Sequence, residues 1–229
     1  MSATRRALAV GLGLAAASAP AADRVSVDGT AGQNTVTAVF DAPLGERITA
    51  VSSAVACQAT WDGKTGLVSG SCTVPLTSLK VDADDVKTDH FRQWATNKKS
   101  DPASCTLTAR FDAVRLPAPL QPDVPQPFAA DLPFRVCGRP RDDGGSEQVS
   151  GTVVLLGADG RLRIRARVEH FRREAYRIGP RFTEGWLARV QSLSTVVAPE
   201  GVLELTLFAA PEGKGPPASA SMRSMPRGP

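Results

Sequence analysis

The sequence predicts a mainly β protein, an antiparallel barrel or sandwich that carries a single helix. Apolar and polar residues alternate with period two through most of the chain, which is typical of strands with one buried face. Turns rich in glycine, proline and aspartate separate these runs at short intervals. One segment, residues 82–97, lacks this alternation and places Val86, His90, Phe91 and Trp94 near one face at helical spacing.

The N-terminal segment, residues 1–21, has the features of a secretory signal peptide. Arg5 and Arg6 supply positive charge, the uncharged residues 7–17 follow, and small residues precede a cleavage point after Ala21. The apolar run is too short to span a bilayer, which needs roughly twenty residues. A disordered alanine-rich leader is the alternative. We expect an exported protein whose folded domain covers residues 22–210.

The alternation and the turns place the strands in chain order. Acidic residues begin the segment at 82–97, and Lys98 and Lys99 follow its end, a distribution of charge that suits the dipole of one helix. We expect this helix to lie across the barrel or to close one of its mouths. The predicted strands are residues 25–28, 34–40, 48–61, 67–79, 104–114, 128–136, 148–156 and 161–168, a strand ending at Val197, and residues 202–208.

The four cysteines follow the signal segment, and an even number in an exported chain favours two disulfides. Three pairings are possible on paper. A hairpin about the turn at residues 62–66 brings Cys57 close to Cys72. A second hairpin that sets residue 111 near residue 132 brings Cys105 close to Cys137, so these two pairs are predicted. A metal site is the alternative, but no Cys-x-x-Cys or Cys/His cluster supports one, and we expect no metal or cofactor.

The basic excess of the chain lies at its ends. Lysine and arginine outnumber aspartate and glutamate by 27 to 23. Arg5 and Arg6 belong to the signal segment, and the tail after Pro211 is also net basic, so the body between them is formally neutral. A neutral body argues against nucleic acid as a partner. The tail, residues 211–229, has no apolar pattern and is expected to be disordered.

The order of several short motifs resembles the YceI-like family. Val-Pro-Leu-Thr-Ser-Leu at 74–79 leads into the helix with Asp-His-Phe-Arg at 89–92, and an extended strand ending in Phe111 follows. Asp-Leu-Pro-Phe-Arg-Val-Cys-Gly-Arg-Pro at 131–140 is similar to a strand end of that family, and residues 173–180 resemble a late loop. The resemblance covers about residues 26–208.

The resemblance implies an extended, lipocalin-like antiparallel β-barrel, usually periplasmic, that binds an isoprenoid or another long-chain lipid in an apolar interior. The sequence departs from the family pattern in three ways. Cys137-Gly138 replaces a His-Gly pair, the proline-rich loop at 116–127 is longer than usual, and four cysteines are not a family hallmark. These departures leave the identity of the ligand open. The sequence also leaves the oligomeric state open.

A long-chain ligand needs a dry, apolar lining. The aromatic residues best placed to supply it are on strands, loops and the helix, although aromatic side chains in a small β protein are more often plain core. The candidate ligand-binding residues are Phe40, Phe91, Trp94, Phe111, Phe134 and Trp186.

An arginine-rich strand is the sharpest local pattern. Alternation puts Arg161, Arg163, Arg165 and Arg167 on one face of it, and further arginines follow as far as Arg181. An anion-attracting strip that makes peripheral contact with a membrane is one interpretation. We favour a solvated strand face paired with acids on its neighbours, which also blocks edge pairing.

Catalysis has little support in the sequence, and no catalytic residue is predicted. His90 and His170 are the only histidines, and no hydrolase, metalloprotease or phosphate-loop motif occurs. His90 is interpreted as a capping or packing residue of the helix. The alternatives to lipid binding are therefore a non-catalytic interaction module with a filled barrel and, with less support, a hydrolase.

Overall fold

A computed structural model gives the structure of the protein and describes residues 23–29, 32–97, 101–157, 160–179 and 197–212. The predicted signal peptide lies outside these residues, as do Trp186, Arg181, the strand leading up to Val197 and the tail beyond Glu212. The described elements are β1 (Asp23–Val27), β2 (Thr35–Asp41), β3 (Arg47–Ser52), β4 (Ala56–Trp61), β5 (Leu67–Pro75), β6 (Lys80–Val81), α1 (Asp85–Thr96), β7 (Thr106–Arg115), β8 (Gln126–Leu132), β9 (Phe134–Val136), β10 (Glu147–Leu156), β11 (Arg161–Arg172) and β12 (Glu200–Pro211).

The strands form one large antiparallel sheet that branches at β12. One edge of β12 pairs with β11, and β10 and then β8 follow on that side. The other edge pairs with β2 through residues 201–206 and with β1 through residues 209–211. The β2 branch continues to β3 and β6, and the β1 branch continues through β4, β5 and β7 to β9.

The sheet does not close into a barrel, so the predicted closed barrel is corrected. Within the described residues, β7 pairs with β9 and β8 pairs with β10, but no ladder joins β7 to β8. The ladder of the predicted second hairpin is accordingly short: it joins residues 107–109 of β7 to residues 134–136 of β9. Pro133 separates β8 from β9 and has no backbone N–H to donate, which lets β8 turn away to β10.

Two predicted strands are shorter than expected. The run at 48–61 is divided into β3 and β4, because the Ser52 hydroxyl accepts a hydrogen bond from the Ala54 amide at 3.1 Å and contacts the Ser78 hydroxyl at 2.7 Å. The run at 67–79 ends as a strand at Pro75 and continues as a 3₁₀ turn, Leu76–Ser78. Conversely, β12 extends to Pro211, into the first residue of the predicted tail.

Both predicted disulfides are present in the structure. Cys57 and Cys72 are directly opposite in the β4–β5 hairpin, with Cα atoms 4.1 Å apart. Cys105 and Cys137 lie at the ends of β7 and β9, with Cα atoms 4.4 Å apart. The hairpin about residues 62–66 that predicted the first bridge is observed, with Cys57 opposite Cys72.

Helix α1 begins later than predicted, and its buried face matches the predicted one only in part. Asp82 and Ala83 have left-handed φ values of 49° and 55°, so they cannot continue the helix, and the Asp84 carboxylate caps it instead by accepting from the Lys87 amide at 3.0 Å. Val86 is 66% exposed. The buried helix residues are Thr88, Ala95 and Thr96, with Phe91 and Trp94 half-buried beside them.

Candidate functional site

Two cavities occupy the interior of the described structure. The first, of about 180 Å³, lies between β7, β8, β11 and β12 and is named the strand chamber. The second, of about 430 Å³, lies between α1, β2, β3 and the 3₁₀ turn Arg173–Tyr176 and is named the helix chamber. Val36, Leu107 and Leu203 line both cavities, so the two chambers meet at these three side chains.

Strand alternation makes the strand chamber apolar. Every second residue of a strand faces the same side of the sheet, and the inward positions of these strands carry aliphatic or aromatic groups. Ala109, Ala130 and Ala166 also face inward, and their small side chains leave the space that larger residues would fill. The chamber is therefore a gap produced by residue size within a regular sheet.

The helix chamber combines an apolar wall with a polar rim. Phe40, Phe91 and Trp94 contribute rings to its wall, and Leu76 and Leu79 add aliphatic surface. Glu46, Lys87 and His90 also line it. An arrangement of this kind, mostly apolar with a few polar groups, is typical of sites for small organic ligands, whose volumes are roughly 300–1,000 Å³.

A charged bridge ties the helix to the sheet at this rim. The Lys87 ammonium lies 2.9 Å from the Asp82 carboxylate and 3.1 Å from the Glu46 carboxylate. Hydrogen bonds to Asp82 and then Glu46 raise the pKa of Lys87 to about 12. The bridge joins the start of α1 to the β2–β3 turn, where Leu44 is fully exposed.

Arg173 forms part of the wall of the helix chamber, although the sequence placed it among the arginines that follow the exposed strand face. It is only 6% exposed, and its guanidinium donates to the carbonyl oxygens of Ala198 at 3.0 Å, Ile178 at 2.9 Å and Val197 at 2.7 Å. A side chain at Gly179 would collide with this guanidinium. Arg173 therefore anchors the segment around residue 178 to the segment before β12.

A buried polar network supports the same end of the molecule. The Tyr176 hydroxyl donates to the Glu147 carboxylate at 2.6 Å, and Arg141 donates to that carboxylate at 3.0 Å. Tyr176 is fully buried and stacks on Phe171, with ring centroids 5.2 Å apart. Burial, reinforced by the Glu147 carboxylate, raises the pKa of Tyr176. Glu147 therefore ties the 3₁₀ turn that carries Tyr176 to β10 and to Arg141.

Arg139 joins the helix to this network. Its guanidinium donates to the Tyr176 carbonyl at 3.1 Å and to the carbonyl of Ala95 at the end of α1. Burial, with the nearby charge of Arg177, lowers the pKa of Arg139. Together with Lys87, Arg139 fixes the helix at both of its ends.

The predicted ligand-binding aromatics divide between the two chambers. Phe40, Phe91 and Trp94 line the helix chamber, whereas Phe111 and Phe134 line the strand chamber. Their contact with a ligand stays a prediction, and Trp186 lies outside the described residues. Sequence reasoning did not select Val36, Leu107 and Leu203, the aliphatic residues at which the chambers meet; their inward positions on alternating strands were the available signal.

The arginine-rich strand face points outward in β11. Arg167 lies 2.8 Å from the Glu169 carboxylate and 2.7 Å from the Glu204 carboxylate of β12. This pairing agrees with the interpretation of a solvated strand face for that position. The membrane-contact interpretation of the face as a whole stays a prediction.

The two histidines, His90 and His170, are distant in sequence and have different surroundings. His170 contacts the Glu200 carboxylate through Nδ1 at 2.6 Å. His90 is exposed on α1 and lines the helix chamber, so its predicted packing role is corrected to a rim position. Among the described residues, no group of three or more His, Cys, Asp or Glu side chains is arranged to hold a metal ion.

The described helix is not long and apolar enough to cross a membrane. The two disulfides are of the kind that persist in an oxidising compartment such as the periplasm or the cell exterior.

Comparison with known proteins gives a similarity of fold. No protein-family model matches the sequence, and no curated protein matches it in sequence. A solved structure described as a polyisoprenoid binding domain from Saccharophagus degradans, implicated in plant cell wall breakdown, is similar with a TM-score of 0.53 and 17% identity. The similarity covers 82% of this chain and 98% of that chain. The chain therefore shares its mainly β fold with a binding domain.

Proposed function

We propose that this protein is an exported, non-catalytic binding protein that carries or sequesters an isoprenoid or another long-chain lipid in its apolar interior. The observation that carries the proposal is the meeting of two apolar chambers at Val36, Leu107 and Leu203. A long hydrocarbon chain can occupy both chambers in sequence, with its polar end beside the charged rim of the helix chamber.

Two further observations support the proposal. The structural neighbour is described as a polyisoprenoid binding domain, and the motif order resembles the YceI-like family. Export accords with the predicted signal segment at residues 1–21 and with two disulfides. Membership of that family is part of the proposal.

The filled interaction module is the second candidate function. A filled interior would leave no room for a ligand, and the two cavities count against it. The outward arginines of β11 are the feature that such a module would use.

The test is a binding titration of delipidated protein with a fluorescent polyene fatty acid and a fluorescent prenyl probe. Ala130 faces the strand chamber, whereas its neighbour Ala129 is exposed on the outer face of β8. Ala130→Trp fills the chamber and should weaken binding by about a hundredfold, the effect of losing roughly 3 kcal/mol of apolar contact.

The matched control is Ala129→Trp, which adds the same side chain outside the chamber and should bind both probes as wild type does. Thermal unfolding of the two variants shows whether each retains the fold. Failure of the wild-type protein to bind either probe would refute the proposal and favour the interaction module.

A further inference from the structure

The described sheet is not closed between β7 and β8. The β7–β9 ladder ends at Ala109 opposite Phe134, and one further hydrogen bond joins the Arg110 amide to the Pro133 carbonyl at 3.2 Å. Beyond that point, the facing edges of β7 and β8 approach each other without a ladder. We name this gap the seam, bounded by residues 111–115 of β7 and 126–132 of β8.

The seam opens directly into the strand chamber. Phe111 and Val114 line the chamber from β7, and Phe128 and Leu132 line it from β8. All four face inward yet remain only half-buried. Apolar side chains therefore extend from the interior to the surface along the seam.

Specific features of the sequence hold the seam apart. Two residues of β7, Asp112 and Ala113, stand opposite the single residue Ser69 of β5, which is a β-bulge. Ala113 has a left-handed φ of 50°, and its amide donates to the Ser69 hydroxyl at 2.8 Å. A bulge bends its strand and increases the local twist, so the end of β7 departs from the regular path that a ladder with β8 would need.

Charge also disfavours a ladder between β7 and β8. Continuing the register of Ala109 opposite Phe134 would set Asp112 opposite Asp131. Both side chains are exposed, and like charges directly opposite each other destabilise strand pairing.

The edges of the seam are also poorly suited to receive a strand from another molecule. Pro127 lies within β8, Pro125 precedes it and Pro133 follows it. Proline has no N–H for a ladder and is characteristic of protected edges, as is a bulge. A second copy or an extended peptide is therefore a poor occupant, whereas a hydrocarbon chain requires no backbone hydrogen bonds.

The opposite end of the interior is more firmly tied. Lys87 bridges α1 to Glu46 and Asp82, and Arg139 holds the end of α1 to the Tyr176 carbonyl. Arg92 adds a hydrogen bond from the helix to the Thr77 carbonyl at 2.7 Å.

From this contrast we infer that the seam is a side opening through which the hydrocarbon chain of the ligand enters and leaves the strand chamber. This inference rests on the proposed lipid-binding function. A chain that enters broadside through the seam passes between two strand edges that the described structure joins by no ladder, whereas contacts of Lys87, Arg92 and Arg139 tie the helix end to its surroundings.

The test bridges the seam chemically and measures rates. Asp112→Cys with Asp131→Cys is joined by a short bis-maleimide, and stopped-flow fluorescence follows uptake and release of the polyene fatty acid and the prenyl probe. Bridging should slow both rates by about tenfold or more and leave the equilibrium capacity unchanged.

Two matched bridges serve as controls. Thr152→Cys with Arg165→Cys joins outward positions directly opposite on the paired strands β10 and β11, and it should leave the rates unchanged. Lys80→Cys with Asp85→Cys joins an exposed contacting pair that ties β6 to the start of α1 at the helix end, and neither residue lines a chamber, so this bridge should change the rates by no more than about twofold.

A second variant avoids any bridge. Asp131→Lys places an opposite charge across from Asp112 and should slow release severalfold, whereas Asp131→Glu keeps the charge and should not. Unchanged rates after seam bridging, or slowing by the helix-end bridge alone, would overturn the inference while leaving lipid binding intact. If the unmodified protein binds neither probe, the proposed function fails and the inference falls with it.

Discussion

The two chambers are built in different ways, although both are apolar. Regular alternation on β7, β8, β11 and β12 produces the strand chamber, and its size depends on small inward residues such as Ala130. The helix chamber is enclosed by segments distant in sequence, which buried polar groups such as Arg173 and Glu147 hold in place. Side-chain volume therefore governs the first chamber, and long-range hydrogen bonds govern the second.

The largest expected effect concerns the arginine anchor of the helix chamber. Arg173→Met leaves the carbonyls of Ala198, Ile178 and Val197 without this donor in a buried setting, so the free energy of unfolding should fall by about 3–5 kcal/mol. Chemical denaturation measures the change. Arg165→Met, on the exposed face of β11, should change stability by about 0.5 kcal/mol or less. Equal effects of the two variants would contradict the anchoring role.

Truncating a leucine to alanine should cost more stability in the filled core than in the wall of a chamber. Leu162 is buried beside Leu120 and Val153 and lines neither chamber, so Leu162→Ala should cost about 2–5 kcal/mol and leave probe affinity unchanged. Leu107 lies against both chambers, and Leu107→Ala should cost about 1–2 kcal/mol because part of its surface already faces a void. Denaturation and probe titration of both variants test this; a larger cost at Leu107 would contradict it.

The hydroxyl of Tyr176 tests the network behind the helix chamber. Glu147 is 2% exposed, and Tyr176→Phe removes one of its hydrogen-bond donors. Because the acceptor is a buried carboxylate, the expected loss is about 1.5–3 kcal/mol. Probe affinity in the strand chamber should not change. A neutral effect on thermal unfolding would show that this hydrogen bond contributes nothing to the fold.

The smallest effect is expected at the charged rim. The pKa of Lys87 is raised from 10.5 to about 12, so its pairing stabilises the fold fully below pH 10.5 and is lost as the pH rises through about 12. Burial alone would raise the pKa of Asp82, but hydrogen bonds from Lys87 and the Thr49 amide outweigh it and lower that pKa. The contribution of Asp82 is therefore present above its usual value of 3.8 and is lost as the pH falls through the lower folded value.

The corresponding experiment compares the melting temperatures of wild-type protein and Lys87→Met across pH. The small difference between them should stay constant from about pH 5 to about pH 10 and shrink in stronger acid as Asp82 takes up a proton. Lys80→Met, which removes an exposed pair with Asp85, is the control for loss of a surface charge. A difference that varies through neutral pH would contradict the assigned pairing.

Sequence reasoning performed best where contacts are local or strictly periodic. Alternation located the strands, and the turn at residues 62–66 fixed the register that pairs Cys57 with Cys72. Strand alternation also agrees with the positions of Phe111 and Phe134, which line the strand chamber. Such features depend on neighbours along the chain or across one hairpin.

Closure of the sheet depends on its edge strands, and proline positions in the sequence mark one of them. Pro125, Pro127 and Pro133 mark β8 as an edge strand, because a central strand would need their missing N–H groups. The bulge at Asp112 and Ala113 has no comparable sequence signal, since neither residue is a glycine.

The polar contacts of the helix chamber could not be predicted from periodicity. The buried face of α1 includes Thr88, whose hydroxyl donates to the Asp84 carbonyl at 2.7 Å and accepts from the Val81 amide at 3.0 Å. Arg173 is buried because carbonyls near residue 197 surround its guanidinium. In both cases the hydrogen-bonding partners lie outside the local sequence pattern. Helical spacing therefore placed the exposed Val86 on the predicted buried face, and the run of arginines grouped the buried Arg173 with exposed ones.

The most direct measurement is mass spectrometry of an organic extract from the protein purified after export, compared with an extract from Ala130→Trp. The account predicts a long-chain apolar lipid in near-stoichiometric amount with the wild-type protein and a strong depletion in the variant, while Ala129→Trp retains the lipid. Repeated absence of any lipid from the wild-type protein, or equal amounts in all three proteins, would contradict a ligand held in the joined chambers.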